Sequence, residues 1–279
     1  MIAQISRKFS QVLSKIKKVI LKSDENQPIV LINSFPKSGT HLLHQIISIF
    51  PYVEDHKTFI VSMPSFTQRV RTNQEIIKKY EKQVIPGELI RGHQFHSPEL
   101  ASYLSERRVV QYFIYRDPRD VVISEANYLY DMNRIHKLHK YFRKFKALED
   151  RIMFSIMGNT YHSTPIDYLD INGRFQKYIG WLKESEVYSV RYEDLVADQR
   201  QAVVEKIVMN FCNKCNYEVD LTSTVTAALK NINPQKSHTF RSGGTEKWKK
   251  YFTPEHKAEF KERAGQLLID LGYEKDMDW

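Results

Sequence analysis

Two unbroken apolar runs stand out along the chain, and a third, shorter segment has a related character. The runs cover residues 28–34 and 109–115, and the shorter segment covers residues 87–92. Short runs rich in β-branched and aromatic residues, without alternating polar positions, are typical of strands buried on both faces of a parallel sheet. We therefore predict strands in these three segments.

Each predicted strand is followed by a signal for a helix. After the first, apolar residues recur with helical spacing and Pro51 ends the pattern. Ser97-Pro98 and Asp117-Pro118 follow the other two strands, and each places a capping side chain before a proline at the first helical position. The positions of the first helical stripe are Leu42, Leu43, Ile46, Ile47, Ile49 and Phe50. The pattern predicts an α/β fold whose mainly parallel central β-sheet is flanked by helices.

The first 24 residues do not fit this pattern, and we predict that residues 1–24 are an appendage to one domain at residues 25–279. Their apolar positions form a helical stripe, and their charges are basic up to Asp24. The apolar runs are far shorter than the ~18 residues of a transmembrane helix. Residues 1–22 can contact an anionic membrane surface, pack on protein, or stay loosely ordered. Packing on the protein's own body or on a second subunit is favoured, because apolar stripes usually face protein.

Composition narrows the class of protein. A chain of 279 residues with 42% hydrophobic content and no low-complexity segment can bury one sizeable core. The formal net charge of +9 suits an anionic ligand. The sequence has no aromatic-interleaved RNA motif, zinc-finger spacing or helix-turn-helix pattern, so we expect no nucleic-acid partner. No secretory signal pattern is present, so we expect a cytoplasmic protein.

The two cysteines, Cys212 and Cys215, are spaced CxxC where a helix that begins near Asp194 is expected to end. A redox pair or half of a metal site is one interpretation. Because no second CxxC or Cys/His pair completes a tetrahedral site, we favour a partly buried pair of reduced thiols and expect no metal.

The turn after the first predicted strand has the composition of an anion site. Lys37, Ser38, Gly39 and Thr40 offer an ammonium group, hydroxyls and backbone N–H groups at a helix N-terminus. The GxxxxGK[ST] pattern of nucleoside triphosphatases is absent, because the lysine precedes the glycine. Taken alone, the turn could also be an ordinary connection between a strand and a helix.

Two further segments carry positive charge to similar places. Arg116 follows the strand at residues 109–115, so its side chain and Lys37 would share one crevice if the two strands are neighbours. Near the C-terminus, Arg241, Ser242, Gly243 and Gly244 form a basic glycine loop before Trp248 that can close over a phosphate. Such loops are common and mostly solvated, so this segment is weak on its own.

Together these segments resemble sulfotransferases that use 3′-phosphoadenosine-5′-phosphosulfate (PAPS). PKSGT resembles their 5′-phosphosulfate loop, and Arg116 with Ser124 eight residues later resembles their 3′-phosphate motif. FRSGGTEKW resembles their RKGxxGxW element, with Ser242 in place of lysine, and RYEDL at residues 191–195 follows the family order. The resemblance covers about residues 28–275, and the C-terminal tail is similar to bacterial small-molecule members.

The resemblance implies a set of functional residues. The residues implied in donor binding are Lys37, Ser38, Gly39, Thr40, His41, Arg116, Ser124, Tyr192, Arg241, Ser242 and Gly243. The implied catalytic residues are His93, Lys37 and Ser124. Ser124 is included because the matching serine of the family also restrains the loop lysine. His93 lies where the family has its general base, and an unperturbed histidine pKa of about 6.5 suits that role. His96, His41 or an acidic residue are the alternatives.

The implied reaction is in-line transfer of a sulfuryl group from PAPS to a hydroxyl or amine of a small-molecule acceptor, such as a natural product. The product would be 3′,5′-diphosphoadenosine (PAP), and no metal is required. A polysaccharide or glycolipid sulfotransferase and a non-catalytic nucleotide-binding protein of the same fold remain alternatives. An open basic cleft would favour the polysaccharide or glycolipid enzyme over a closed apolar pocket.

Some positions depart from the family pattern. Leu42 stands in place of a tryptophan that stacks on adenine, and His41 replaces a threonine. The dimerisation motif KxxxTVxxxE is not recognisable, so the sequence leaves the oligomeric state open. Residues 132–172 resemble a cap over the acceptor. Their basic side chains could contact an anionic acceptor, but we favour a solvated helix face, because runs of charge usually face water. The basic residues concerned are Arg134, His136, Lys137, His139, Lys140, Arg143, Lys144 and Lys146.

Overall fold

A five-stranded sheet organises the chain in the computed structural model, which describes residues 27–233 and 244–279. The strands are β1 (Val30–Ser34), β2 (Phe59–Val61), β3 (Leu89–His93), β4 (Val110–Tyr115) and β5 (Val187–Arg191). Their order is β2-β3-β1-β4-β5, and every neighbouring pair is parallel. The predicted α/β class is confirmed, and the three predicted strands are observed with ends shifted by one or two residues.

Helices cover both faces of the sheet. Before β5 they are α1 (Thr40–Ile47), α2 (Asn73–Gln83), α3 (Pro98–Glu106), α4 (Pro118–Asn127), α5 (His139–Phe142), α6 (Leu148–Met157) and α7 (Ile171–Ile179). After β5 they are α8 (Tyr192–Val196), α9 (Arg200–Cys215), α10 (Leu221–Asn231), α11 (Trp248–Tyr251) and α12 (Pro254–Asp270). A π-helix, Tyr128–Met132, continues α4, and 3₁₀ turns occupy Gly158–Thr160 and Gly180–Lys183.

Alternate residues of the central strands enter two separate cores. Leu31 of β1 and Phe113 of β4 pack on one face with α2, α3, α4, α6, α7 and α12. Val30, Ile32 and Tyr112 pack on the other face with α1, α8, α9 and α10. Burial on both faces explains why the first and fourth strands read as unbroken apolar runs.

The predicted helix starts are observed with their caps. The Asp117 side chain accepts a hydrogen bond from the Arg119 backbone N–H, and Ser97 accepts one from the Leu100 N–H. The prediction of a single helix from near Asp194 to the cysteines was wrong. The chain forms α8 and then α9, because Ala197 adopts an extended conformation (ψ 172°) and interrupts the helix.

The remaining sequence expectations concern the cysteines, metals and the membrane. Cys212 and Cys215 are free and partly buried at the end of α9, and burial raises the pKa of the Cys215 thiol to about 12. Within residues 27–233 and 244–279, no three His, Cys, Asp or Glu side chains are grouped to hold a metal ion. In the same ranges, no helix combines the length and the apolar character needed to cross a bilayer. The predicted appendage at residues 1–24 lies outside the described residues.

Candidate active site

The carboxyl ends of β3, β1 and β4 open into one cavity of about 1040 Å³. Because β1 lies between β3 and β4, residues that follow these three strands meet at one edge of the sheet. The predicted site residues that line the cavity are Lys37, Gly39, Thr40, His41, His93, Arg116, Ser124 and Tyr192. The Ser38 side chain is fully buried behind them, and Arg241, Ser242 and Gly243 lie outside the described residues.

The turn between β1 and α1 depends on Gly39. Its φ of 101° lies in the left-handed region, and a Cβ there would approach Cδ2 of Tyr192 to 2.6 Å. Glycine therefore allows both the turn and the close packing of Tyr192. No side chain caps α1, so its first backbone N–H groups are available at the cavity wall. The turn and the helix end together form a cradle of the kind that binds anions.

Two buried polar groups around this cradle have no hydrogen-bond partner among the described residues. They are Oγ of Ser38 and Nε of Arg116. Nη2 of Arg116 donates to Oδ2 of Asp120 and to the Gly244 carbonyl, both at 2.9 Å, and the guanidinium lies 4.4 Å from the centre of the Tyr192 ring. Leaving buried donors unpaired is costly, so these atoms indicate a place for an anionic ligand.

Lys37 is held against an aromatic ring that sequence reasoning did not identify. Its ammonium nitrogen lies 3.9 Å from the centre of the Tyr128 ring, in the first turn of the π-helix that continues α4. Burial lowers the pKa of Lys37 to about 8, the negative charge of Glu125 opposes this shift, and the charge of Arg116 adds to it. The lysine is therefore a buried cation whose charge depends on its neighbours.

Glu125 belongs to a buried network that the sequence also did not reveal. Its Oε2 atom accepts hydrogen bonds from Oγ of Ser155 (2.6 Å), from the Tyr168 hydroxyl (2.8 Å) and from Nη1 of Arg174. Burial acts to raise the pKa of Glu125, but Arg174 and these hydrogen bonds outweigh it and lower the pKa. Glu125 is thus a fixed negative charge near Lys37.

His93 is the last residue of β3, and its ring is oriented by Ser34 of β1. Nδ1 lies 3.0 Å from the Ser34 carbonyl oxygen and 3.0 Å from the Ser34 hydroxyl, which lies 2.7 Å from Oγ1 of Thr40. A carbonyl oxygen only accepts hydrogen bonds, so Nδ1 carries the proton and Nε2 carries the lone pair.

The charge state of His93 follows from its surroundings. Burial lowers its pKa to about 4, the positive charges of His41 and Lys37 act in the same direction, and the Ser34 carbonyl opposes them. The imidazole is therefore neutral at neutral pH. Its unprotonated nitrogen can accept a proton from a group in the cavity.

The other candidate bases differ in position. Nε2 of His96 lies 2.6 Å from a Glu184 carboxylate oxygen, and the ring packs on Trp181 away from the residues that line the cavity. His41 lines the cavity and influences His93 electrostatically. Geometry therefore favours His93, with His41 as the second candidate.

The rest of the cavity wall has both apolar and charged residues. Its apolar members include Phe35, Phe59, Val61, Phe66, Phe95, Leu129, Met132, Ile135, Leu138, Leu148, Leu169, Tyr178, Leu42, Leu195, Val196 and Ile232. Its polar and charged members include Gln45, Gln68, Arg71, Arg91, Glu125, Arg174, Lys177 and Arg200. The basic residues between 134 and 146 take different positions. His136 lines the cavity, while Lys140, Arg143 and Lys144 are exposed.

Comparisons with known proteins identify the family. A family model described as the sulfotransferase domain matches residues 27–272. The crystal structure of mouse sulfotransferase SULT7A1 complexed with PAP is similar with a TM-score of 0.57 and 17% sequence identity, covering 89% of each chain. The sulfotransferase domain from the curacin biosynthetic pathway has a TM-score of 0.42 and 15% identity, covering 86% of this chain and 97% of that one. A search of curated protein sequences found no match.

Proposed function

Because the chain belongs to the sulfotransferase domain family, whose donor is PAPS, we propose that it transfers a sulfuryl group from PAPS to a hydroxyl or amine of a small-molecule acceptor. The observation that carries this proposal is the meeting of Lys37, His93 and Arg116 at one cavity. An anion cradle and a neutral base on adjacent strands are the two parts that such a transfer requires.

The residues present fit the donor. The β1–α1 cradle and Lys37 suit its 5′-phosphosulfate, and the unpartnered Nε of Arg116 suits its 3′-phosphate beside Ser124. The Tyr192 ring and its apolar neighbours Leu195 and Val196 suit the adenine. They would take the role of the family's tryptophan, whose position is occupied by Leu42 in this chain. The loop at Arg241, Ser242 and Gly243 remains a prediction for the 3′-phosphate.

The proposed step uses His93 as base. Nε2 takes the proton of the acceptor hydroxyl or amine while the acceptor atom forms a bond to sulfur and the bond from sulfur to the phosphate oxygen breaks. Lys37 and the α1 N–H groups stabilise the charge that grows on that phosphate oxygen as PAP leaves. The bound anion also favours the imidazolium form and raises the low pKa of His93 toward the working range.

The wall beside His93 supports a compact apolar acceptor. Phe59 packs edge-on against the His93 ring, and Val61 pairs with His93 across β2 and β3. Phe95 and the π-helix residues Tyr128, Leu129 and Met132 line the same cavity. Such a chamber suits an aromatic or aliphatic small molecule better than a polysaccharide, which would need an open polar cleft. The ordered neutral His93 also favours an enzyme over a non-catalytic nucleotide-binding protein.

The proposal is tested by incubating the full chain with PAPS and a panel of phenols, apolar alcohols, amines and sugars. Mass spectrometry would detect the gain of a sulfuryl group and the release of PAP. We expect acceptor-dependent PAP release with apolar members of the panel. Sulfation restricted to polysaccharides would support the alternative enzyme, and tight PAP binding without turnover on any class would support the non-catalytic protein.

A further inference from the structure

The mouth of the cavity is bordered by apolar side chains that face solvent. Phe66 is 74% exposed and Ile135 is 76% exposed, and both line the cavity. The two segments that carry them are joined, because the Lys137 backbone N–H donates to the Ser65 carbonyl at 3.0 Å. Phe59 and Met132 are further exposed apolar residues of the same mouth. We call Phe59, Phe66, Met132 and Ile135 the apolar rim.

The chain segment that contains Met132 and Ile135 also carries exposed cations. The chain has no acidic residue between Asp131 and Glu149, and over this stretch six basic side chains are exposed. None of the six forms an ion pair with a carboxylate among the described residues. They are Arg134, Lys137, Lys140, Arg143, Lys144 and Lys146, and we call them the basic face.

Large exposed apolar side chains near exposed cations that are not neutralised by carboxylates are typical of a surface that meets an anionic lipid bilayer. We propose that the apolar rim and the basic face dock the protein on an anionic membrane. The aromatic and aliphatic tips enter the boundary between headgroups and acyl chains, and the lysines and arginines lie at the lipid phosphates. This surface is separate from residues 1–22, for which the sequence raised membrane contact.

Two other occupants fit less well. A second copy of the chain would bring six cations against six cations, so pairing of this face with itself is electrostatically unfavourable. A protein seated on the rim would cover the cavity mouth, whereas a bilayer both covers the rim and contains molecules that can enter it. The consequence, which rests on the proposed function, is that the acceptor is an amphiphile reached from the membrane.

The test is co-sedimentation of the full chain with vesicles of phosphatidylcholine alone and of phosphatidylcholine with phosphatidylglycerol. We expect binding to the anionic vesicles that weakens as salt is raised. The triple variant Lys140→Gln, Lys144→Gln, Lys146→Gln should lose affinity by roughly a hundredfold, since each lysine at such a surface contributes roughly fivefold. The double variant Phe66→Ser, Ile135→Ser should also bind more weakly.

A control variant removes three lysine charges from other parts of the surface. Lys82, Lys183 and Lys206 are exposed and do not line the cavity, so their triple exchange to glutamine should change vesicle affinity little. Calorimetry with PAP checks that every variant is folded, and keeps this test independent of whether an acceptor is sulfated. Equal loss in both lysine triples, or unchanged binding in the rim variant, would overturn the proposal. Absence of binding to anionic vesicles would overturn it as well.

Discussion

The role of His93 depends on which ring nitrogen carries its proton. The Ser34 carbonyl fixes the proton on Nδ1, and the hydroxyl chain from Ser34 to Thr40 ties the ring to the anion cradle. The base and the donor site are thus linked through one residue of β1. This geometry makes the protonation state of His93 sensitive to what the cradle binds.

Replacing His93 by alanine should lower turnover by about 10²- to 10⁴-fold, because it removes the proton acceptor of the transfer. PAP affinity should stay near that of the wild type, since His93 is assigned to the acceptor. Steady-state kinetics and calorimetry measure the two effects. His96→Ala is the control and should retain turnover. Near-full activity of His93→Ala would place the base elsewhere, with His41 the next candidate.

Glu125 sets the charge of Lys37 at the other side of the cavity. Glu125→Gln removes the negative charge that raises the pKa of Lys37, so that pKa should fall below about 8. PAP affinity, measured across pH, should then begin to decline at a lower pH than in the wild type, because Lys37 loses its proton earlier. The variant should also be less stable by about 3–5 kcal/mol, since the buried Arg174 guanidinium loses its carboxylate partner.

Ser155→Ala is the matched control for this prediction. It removes one hydrogen bond to Glu125 but keeps the carboxylate charge. The pH at which PAP affinity declines should stay close to that of the wild type. An unchanged pH dependence in Glu125→Gln would show that Glu125 does not control Lys37.

Sequence reasoning identified the residues that belong to local motifs and missed those that act through distant contacts. Lys37, Gly39 and Arg116 stand next to strand ends, where their positions in the sequence reveal the crevice. Glu125 and Arg174 are 49 residues apart, and their ion pair joins α4 to α7 beside Ser155 of α6, which contacts both side chains. Tyr128, at the junction of α4 and the π-helix, contacts Lys37 across 91 positions of sequence, and no local motif indicates such a contact.

At the scale of secondary structure, the turn between β1 and α1 is the element on which the proposed donor binding depends. Gly39→Ala should lower both PAP affinity and stability, because alanine is strained at φ 101° and its Cβ would displace the Tyr192 ring. Calorimetry and thermal unfolding measure the two effects.

Gly272→Ala is the control that introduces backbone strain without a steric contact. Gly272 also has a positive φ, 72°, but a Cβ there would meet nothing within 4 Å. This variant should lose about 1–2 kcal/mol of stability from strain alone and keep the PAP affinity of the wild type. Equal PAP affinities in the Gly39 and Gly272 variants would remove the β1–α1 turn from the donor site.

The other elements show where local signals suffice. Proline after a capping residue correctly predicted the starts of α3 and α4, because both residues act within one turn of the helix. The break between α8 and α9 was not predicted, since residues 192–215 contain neither glycine nor proline. An apolar stripe runs through both helices, and their separation depends on the extended backbone at Ala197.

At the scale of the whole molecule, the predicted donor-binding segments all begin after Pro28. Deleting residues 1–24 should therefore leave PAP affinity close to that of the full chain. Calorimetry of the two forms makes the comparison, and thermal unfolding shows whether each form is folded. A folded truncated protein that no longer binds PAP would show that the segment belongs to the donor site.

The proposed acceptor chamber is the feature of the whole molecule that sequence could predict least. Its wall combines β2, the π-helix and the chain around Phe95 and Tyr178, which are far apart in the sequence. The sequence indicated a cap at residues 132–172, but much of the apolar wall comes from segments outside that range. If the proposal is correct, acceptor choice is decided by tertiary packing.

The central claim is a cavity built for a nucleotide with phosphates at both the 3′ and 5′ positions. Calorimetry with PAP and with adenosine 5′-monophosphate tests it most directly. PAP should bind at least roughly tenfold more tightly, because a hydrogen bond to a charged group contributes about 1.5–3 kcal/mol and Arg116 offers an unpartnered donor. Arg116→Ala should narrow this difference. Equal affinities of the wild-type protein for the two nucleotides would contradict the account.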